Sequence, residues 1–190
     1  MDILSAHKYI ALVIFFSFLV EFFGKLHPVV VHFPIACIVL AGICEAFEIL
    51  SPFFKNIYSF KRDSSERSSL TQNFLIIGTL SGIIAVLFGF ANSSTTQFYG
   101  QTVDTLFFHK MYGLAALFFS LLALLFARCE LLNKIFYFRA SLFLSVIFLS
   151  IGSHKGALLV HGADYFSGFT DLFQTEKTSE VQQLLNKSSV

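Results

Sequence analysis

The chain has 190 residues, of which 55% are hydrophobic and only 13% are charged, a far more apolar composition than that of soluble domains. The net charge of +1 comes without any basic patch interleaved with aromatic residues, so nothing indicates binding to nucleic acid. The three cysteines form no CxxC or CxxCH motif, which excludes covalent haem attachment of the c type. We therefore expect an all-α integral membrane protein.

The first apolar segment, residues 9–23, is short and follows a polar start that carries Lys8. A helix needs about 20 residues to cross the hydrocarbon core, so this profile suits a secretory signal peptide or a short signal-anchor helix. No small-x-small cleavage site lies near Gly24, which favours the anchor. Whether residues 1–23 are cleaved stays open.

Four further segments are long enough to cross a membrane as helices: residues 28–50, 74–91, 106–127 and 138–160. They predict a four-helix transmembrane bundle within a domain of residues 24–166. Residues 167–190 form a polar C-terminal tail. The fold class is thus a four-helix transmembrane bundle preceded by a short N-terminal hydrophobic helix.

The orientation of these spans follows from the lysines and arginines of the connections, which concentrate on the cytoplasmic side. The connection between residues 92 and 105 carries none, whereas those at residues 51–70 and 128–139 do. We therefore predict a cytoplasmic N-terminus and a C-terminal tail on the outer side. The basic residues are Lys55, Lys61, Arg62, Arg67, Arg128, Lys134 and Arg139.

Five of the six histidines fall in the outer half of this predicted bundle. At 1.5 Å per helical residue, His32, His109 and His154 lie at similar depth, with His27 and His161 nearer the surface. Polar side chains at such depth are costly and normally face the bundle interior. The pattern favours a ligand site built from His32, His109 and His154 over plain packing.

Imidazole is a frequent ligand of haem iron and of transition metals. The histidine layer could therefore supply two axial ligands to haem b or three ligands to a Cu or Zn ion, with His27 and His161 beside it. Lysine side chains near the histidine layer could form ion pairs with haem propionates or could extend to the membrane interface. These cations are Lys25, Lys110 and Lys155. No catalytic residue is predicted, because no Ser or Cys nucleophile can be placed beside the histidines.

Small residues and prolines also mark the spans. Gly78, Gly82 and Gly89 share much of one helix face, and Gly152 with Gly156 repeats the spacing, which suits close helix packing or space for a flat cofactor. Pro28 suits a first helical turn, and Pro34 should kink its helix, either for packing or to aim His32.

Three blocks of this sequence resemble a known family. "GKLHPVVVHFPIA", "FHKMYGL" and "HKGALLVHGADYF" are similar to the signature blocks of the bacterial membrane family called domain of unknown function 2231. The resemblance covers residues 24–166 and implies a four-helix membrane module whose motif histidines are the same five. Ala157 departs from the usual second glycine of the last block. Some relatives are fused to cytochrome-c-like domains, which implies redox work.

Three functions follow as hypotheses. In the first, the protein binds b-type haem in a bacterial inner membrane and passes electrons to a c-type cytochrome or another redox partner on the outer side. In the second, the same histidines bind a transition metal, Cu or Zn. In the third, they are structural residues of a non-catalytic membrane subunit. A hydrolytic enzyme is the least expected.

Overall fold

The computed structural model describes residues 3–54, 69–128 and 134–162, and within these ranges it contains helices and no strand. This confirms the all-α prediction, and four helical stretches are long and apolar enough to cross a membrane. Parts of the predicted connections and tail lie outside the described residues, namely residues 55–68, 129–133 and 167–190. The helices are α1 Ile3–Val30, α2 His32–Phe54, α3 Ser69–Thr95, α4 Gln101–Arg128 and α5 Lys134–His161.

Helices α1 and α2 follow one another with only Val31 between them, within an apolar stretch of 45 residues, His7–Ser51. The interruption has a local cause, because Pro34 lacks the N–H that would bond to the carbonyl of Val30. The Ile35 N to Val31 O distance is correspondingly long, at 3.4 Å. The prediction that Pro28 opens a new span is therefore wrong, since Pro28 lies inside α1.

Helix α3 packs antiparallel along both α1 and α2. A Cβ on Gly24 would lie 2.8 Å from the backbone N of Asn92, and one on Gly78 would lie 2.8 Å from Ile38 Cγ1. Residue numbers therefore rise along α1 and α2 in the direction in which they fall along α3. The chain does not reverse direction between α1 and α2, which corrects the expectation of a connection just before residue 28.

The N-terminal part of α1 extends beyond the end of α3. In the register set by Gly24 and Asn92, the last residue of α3, Thr95, lies opposite Glu21. The preceding 18 residues or so therefore project by about 27 Å. Their large side chains are each more than half exposed, namely Tyr9, Ile10, Leu12, Val13, Ile14, Phe15, Phe16 and Phe18.

Helices α4 and α5 form the second closely packed antiparallel pair. Ser145 Oγ donates a hydrogen bond of 2.8 Å to the carbonyl of Ala116, and the rings of Phe119 and Phe148 stack at 5.4 Å. The α1/α2–α3 pair meets this second pair through α3 against α4 and α2 against α5. Packing is denser within each pair than between the pairs.

A buried apolar core joins α2, α3, α4 and α5 at one end of the bundle. Its members are fully inaccessible to solvent, and Phe138 is the largest of them. They are Ala41, Leu75, Ala123, Phe138 and Leu142. This core lies toward the connection between α4 and α5, well away from the histidines of the opposite end.

Candidate functional site

His27 projects from α1 toward α3 and is half-buried. Its Nδ1 lies 2.9 Å from the carbonyl oxygen of Ala85. Since a carbonyl oxygen only accepts hydrogen bonds, Nδ1 must be the protonated nitrogen that donates. In the neutral imidazole the lone pair is therefore on Nε2, the form in which histidine binds metals.

His109 of α4 repeats this arrangement against α5. Its Nδ1 lies 2.8 Å from the carbonyl oxygen of Gly152, and the imidazole is half-buried. The same argument assigns the proton to Nδ1 and the lone pair to Nε2. Each imidazole is thus oriented by the backbone of the antiparallel helix of its own pair, α3 for His27 and α5 for His109.

Two glycines make room for these rings. A Cβ placed on Gly89 would lie 2.9 Å from Cε1 of His27, and a Cβ on Gly156 would lie 2.9 Å from Cε1 of His109. Any larger residue would push the imidazole away, because real Cβ atoms do not approach so closely. The space that these glycines leave in their helices is therefore filled by the histidine rings.

The two histidines meet between the helix pairs. Their ring centroids are 6.3 Å apart and their ring planes are inclined by 74°. His27 belongs to the α1/α2–α3 pair and His109 to the α4–α5 pair, so the contact joins the two halves of the bundle. We call His27 and His109 the histidine pair.

The remaining predicted site residues take other positions. His32 is exposed, and its Nδ1 lies 2.6 Å from the carbonyl of Pro28 one turn earlier. His154 and His161 are also exposed. The predicted burial of His32 and His154 in an inner layer is therefore wrong. The reason is helical periodicity, since His32 is turned about 140° from His27 around the helix axis.

A three-histidine ion site is not assembled by the described residues, among which no group of three or more His, Cys, Asp or Glu side chains could hold a metal ion. What the structure brings together is the histidine pair. His27, which was expected at the rim, is one of its two members.

The lysines near the histidines have individual environments. Lys25 Nζ lies 2.6 Å from Glu21 Oε1 on the exposed side of α1. Lys110 follows His109 directly, and its Nζ lies 5.5 Å from the centroid of the Phe90 ring on α3. Lys155 precedes Gly156 and is half-buried. Lys110 therefore places a positive charge between the helix pairs, one residue from the histidine pair.

A second polar contact lies at the other end of the bundle. Glu45 of α2 is only 2% exposed, and its Oε1 accepts a hydrogen bond of 2.7 Å from Nε of Arg139 on α5. Among the described residues, its Oε2 and the buried hydroxyl of Thr71 have no hydrogen-bond partner. This pair was not predicted from the sequence, although an acid and a base inside two apolar spans were the available signal.

A family model of predicted membrane proteins, domain of unknown function 2231, matches residues 25–164. The chain belongs to this family. The match includes the histidine pair, the exposed histidines and both glycines that accommodate the imidazoles. Neither the curated proteins nor the solved structures contain a match. The family confirms a multi-helix membrane protein and assigns no activity.

Proposed function

We propose that this multi-pass membrane protein binds one b-type haem between His27 and His109 and carries electrons through it. The observation that supports the proposal is the histidine pair itself. Two imidazoles from opposite helix pairs lie 6.3 Å apart, and both donate Nδ1–H to a backbone carbonyl. Histidines that ligate metals are usually oriented by such a hydrogen bond, because it leaves Nε2 free to bind.

The separation of the rings suits a shared metal. Two imidazole nitrogens bound at about 2.0 Å to one ion are at most about 4 Å apart, and their ring centroids are then at most about 6.4 Å apart. The observed 6.3 Å lies within this limit. The two rings are therefore close enough for His27 and His109 to hold one ion together.

The number of ligands favours haem iron over a bare ion. Protein sites for Zn and related ions use three or four side chains, and the described residues bring only two together here. An iron porphyrin needs only two axial imidazoles, because the macrocycle supplies the other ligands and balances the metal charge. Two neutral histidines in an apolar bundle fit this requirement.

The surroundings support an anionic group. Lys110 lies beside His109, where its ammonium group is positioned to pair with a carboxylate such as a haem propionate. When bound, a haem would supply one-electron chemistry, and His27 and His109 would hold it with imidazoles that are oriented by Ala85 and Gly152. The redox partner on the outer side would be a c-type cytochrome or another soluble electron carrier.

The same proposal includes the position of the protein in a bacterial inner membrane, with the N-terminus cytoplasmic and the C-terminus outside. The projecting part of α1 is about 27 Å long, close to the hydrocarbon thickness of about 30 Å. In the structure this part of α1 continues in the direction of α2, so the proposed position of the N-terminus requires α1 to bend before Gly24 in the membrane. The exposed apolar side chains from Tyr9 to Phe18 suit contact with lipid.

An absorbance spectrum of the protein purified from haem-replete bacterial membranes tests the function. We expect a reduced-minus-oxidised difference spectrum with Soret and α bands and about one haem per chain. His27→Ala and His109→Ala should each abolish the six-coordinate spectrum, whereas the matched control His154→Ala should retain it. A colourless protein, or bands that survive both substitutions, would overturn the proposal.

A second candidate is a structural role for the histidine pair in a non-catalytic membrane subunit. The hydrogen bonds to Ala85 and Gly152 favour it, because each one already joins two helices. In that case the wild-type protein is colourless, and His27→Ala and His109→Ala lower the unfolding temperature. The spectrum thus separates the two functions, and the unfolding temperature alone does not.

A further inference from the structure

We infer that the bundle is built from one helix-pair unit used twice, so that His27 and His109 are equivalent ligands and Gly89 and Gly156 are equivalent positioning residues. The first repeat is the end of α1 with α2 and α3, and the second is α4 with α5. The two repeats are related by an approximate two-fold axis along the bundle, and the histidine pair lies across it. The equivalence of the ligands rests on the proposed function, whereas the repeat itself does not.

The contacts of the two histidines set the correspondence. His27 bonds to the carbonyl of Ala85 and lies against Gly89, four residues later. His109 bonds to the carbonyl of Gly152 and lies against Gly156, again four residues later. A step of 82 positions leads from His27 to His109, and a step of 67 leads from Gly89 to Gly156.

Apart from Ala85 and Gly152, whose hydrogen bonds helped to set these steps, the buried residues provide an independent check. All three buried residues of α4 correspond to buried residues of α2, and three of the other four in α5 correspond to buried residues of α3. Scattered burial would not give this agreement along two helices. The matched pairs are Pro34 with Ala116, Ile38 with Ser120, Ala41 with Ala123, Thr71 with Phe138, Leu75 with Leu142, Gly78 with Ser145 and Ala85 with Gly152.

The sequence conceals the repeat because few of these matched positions keep the same residue. Apart from the histidines and the two glycines, only the Ala41–Ala123 and Leu75–Leu142 pairs are identical among them. The ion pair departs from the symmetry, since the positions equivalent to Glu45 and Arg139 are Ala127 and Gln72. The buried positions are thus repeated, whereas the ion pair between the two copies, from α2 to α5, has no symmetric counterpart between α4 and α3.

The repeat determines how a ligand is held. A flat metal–porphyrin that bound across the axis would be held by two imidazoles, His27 and His109, each oriented by a backbone carbonyl. Gly89 and Gly156 act through these imidazoles, because a methyl group at either position would displace Cε1 of the adjacent ring. Both glycines would therefore set the orientation of a histidine ring without contacting the haem iron themselves.

The first test uses matched alanine variants of the full-length protein. We expect Gly89→Ala and Gly156→Ala to shift the α band and the midpoint potential of the haem in the same direction and by similar amounts. The controls are Gly82→Ala, where the nearest atom to the new Cβ is 3.5 Å away, and Gly113→Ala, where none lies within 4 Å. A shift in only one of the two site variants, with haem retained in both, would overturn the equivalence.

His27→Met and His109→Met keep the inference testable if the alanine variants do not fold. Methionine remains an axial ligand and raises the potential of haem iron relative to histidine. Equivalent ligands predict the same rise from either substitution. Loss of haem from one variant and a raised potential in the other would contradict the inference while leaving the proposed function intact.

A second test examines the repeat without any ligand. Ala41→Leu and Ala123→Leu overpack equivalent positions that are both fully buried, so both should lower the unfolding temperature by similar amounts. Clearly unequal losses would contradict the repeat. Equal losses in a protein that never shows a haem spectrum would support the repeat and reject the proposed function.

Discussion

The two ends of the bundle hold the same two helix pairs together by different means. At the histidine end, His27 and His109 bond to backbone carbonyls and lie against glycines. At the ion-pair end, Glu45 and Arg139 join α2 to α5 next to the buried core around Phe138. The imidazoles at the histidine end can therefore form further bonds through Nε2, whereas the ion-pair end consists mainly of densely packed apolar side chains.

This difference separates stability from function in physical terms. Helices in lipid associate through close packing and polar contacts, and the ion-pair end combines the fully buried apolar core with the Glu45–Arg139 contact. The histidine end leaves two Nε2 lone pairs that the fold itself does not require. We therefore expect substitutions at the ion-pair end to change mainly the unfolding temperature, and those at the histidine end to change mainly the bound cofactor.

The largest expected effect is that of Phe138→Ala at the ion-pair end. Phe138 is fully buried, and removing its ring leaves a cavity that should cost about 4 kcal/mol of stability. Thermal unfolding in detergent measures this loss, with the exposed Phe136→Ala as a matched control. A Phe138→Ala protein as stable as the control would show that the core does not hold this end together.

Breaking the ion pair should be the next largest effect. Arg139→Met leaves the buried Glu45 without its partner and should cost about 3 kcal/mol, because an uncompensated charge remains inside the bundle. The double variant Glu45→Leu with Arg139→Met should recover most of this stability, as apolar replacements of both partners often do. No recovery in the double variant would mean that the charges contribute more than packing does.

A smaller loss is expected for Gly24→Ala, one turn before His27. Its methyl group would lie 2.8 Å from the backbone N of Asn92, so α1 and α3 must separate, at about 2 kcal/mol. Because this shift also moves His27, haem occupancy should fall with the unfolding temperature. Gly82→Ala, which has ordinary contacts, is the control, and equal behaviour of the two variants would refute the close approach of α1 and α3.

The smallest effects are expected for His32→Gln and His154→Gln. Both side chains are exposed, so stability should change by less than about 0.5 kcal/mol. The haem difference spectrum should be unchanged in both. Loss of the α band in either variant would place that histidine in the site and restore the predicted inner layer.

The long helices were predictable from the sequence because their signal is composition over some 20 residues. The predicted spans at 74–91, 106–127 and 138–160 lie inside α3, α4 and α5. The segment before residue 28 was predicted incorrectly, because the sequence does not show how α1 packs. In the structure α1 is one helix that continues in the direction of α2, and Gly24 packs closely against α3.

The histidine pair was predicted only in part. His27 and His109 were both among the candidates, because histidines in apolar spans are rare. The membership of the inner layer was wrong, since depth along a helix was considered and direction around it was not. His32 and His154 have suitable depth, but their side chains are exposed.

The sequence by itself determined that this is an all-α membrane protein with histidines gathered toward one end, because hydropathy and spacing are local properties. Only the tertiary structure decided which two histidines meet, which glycines accommodate them and where Glu45 finds Arg139. These contacts join residues 43 to 94 positions apart. They depend on helix register and rotation, which packing between helices sets and local sequence does not.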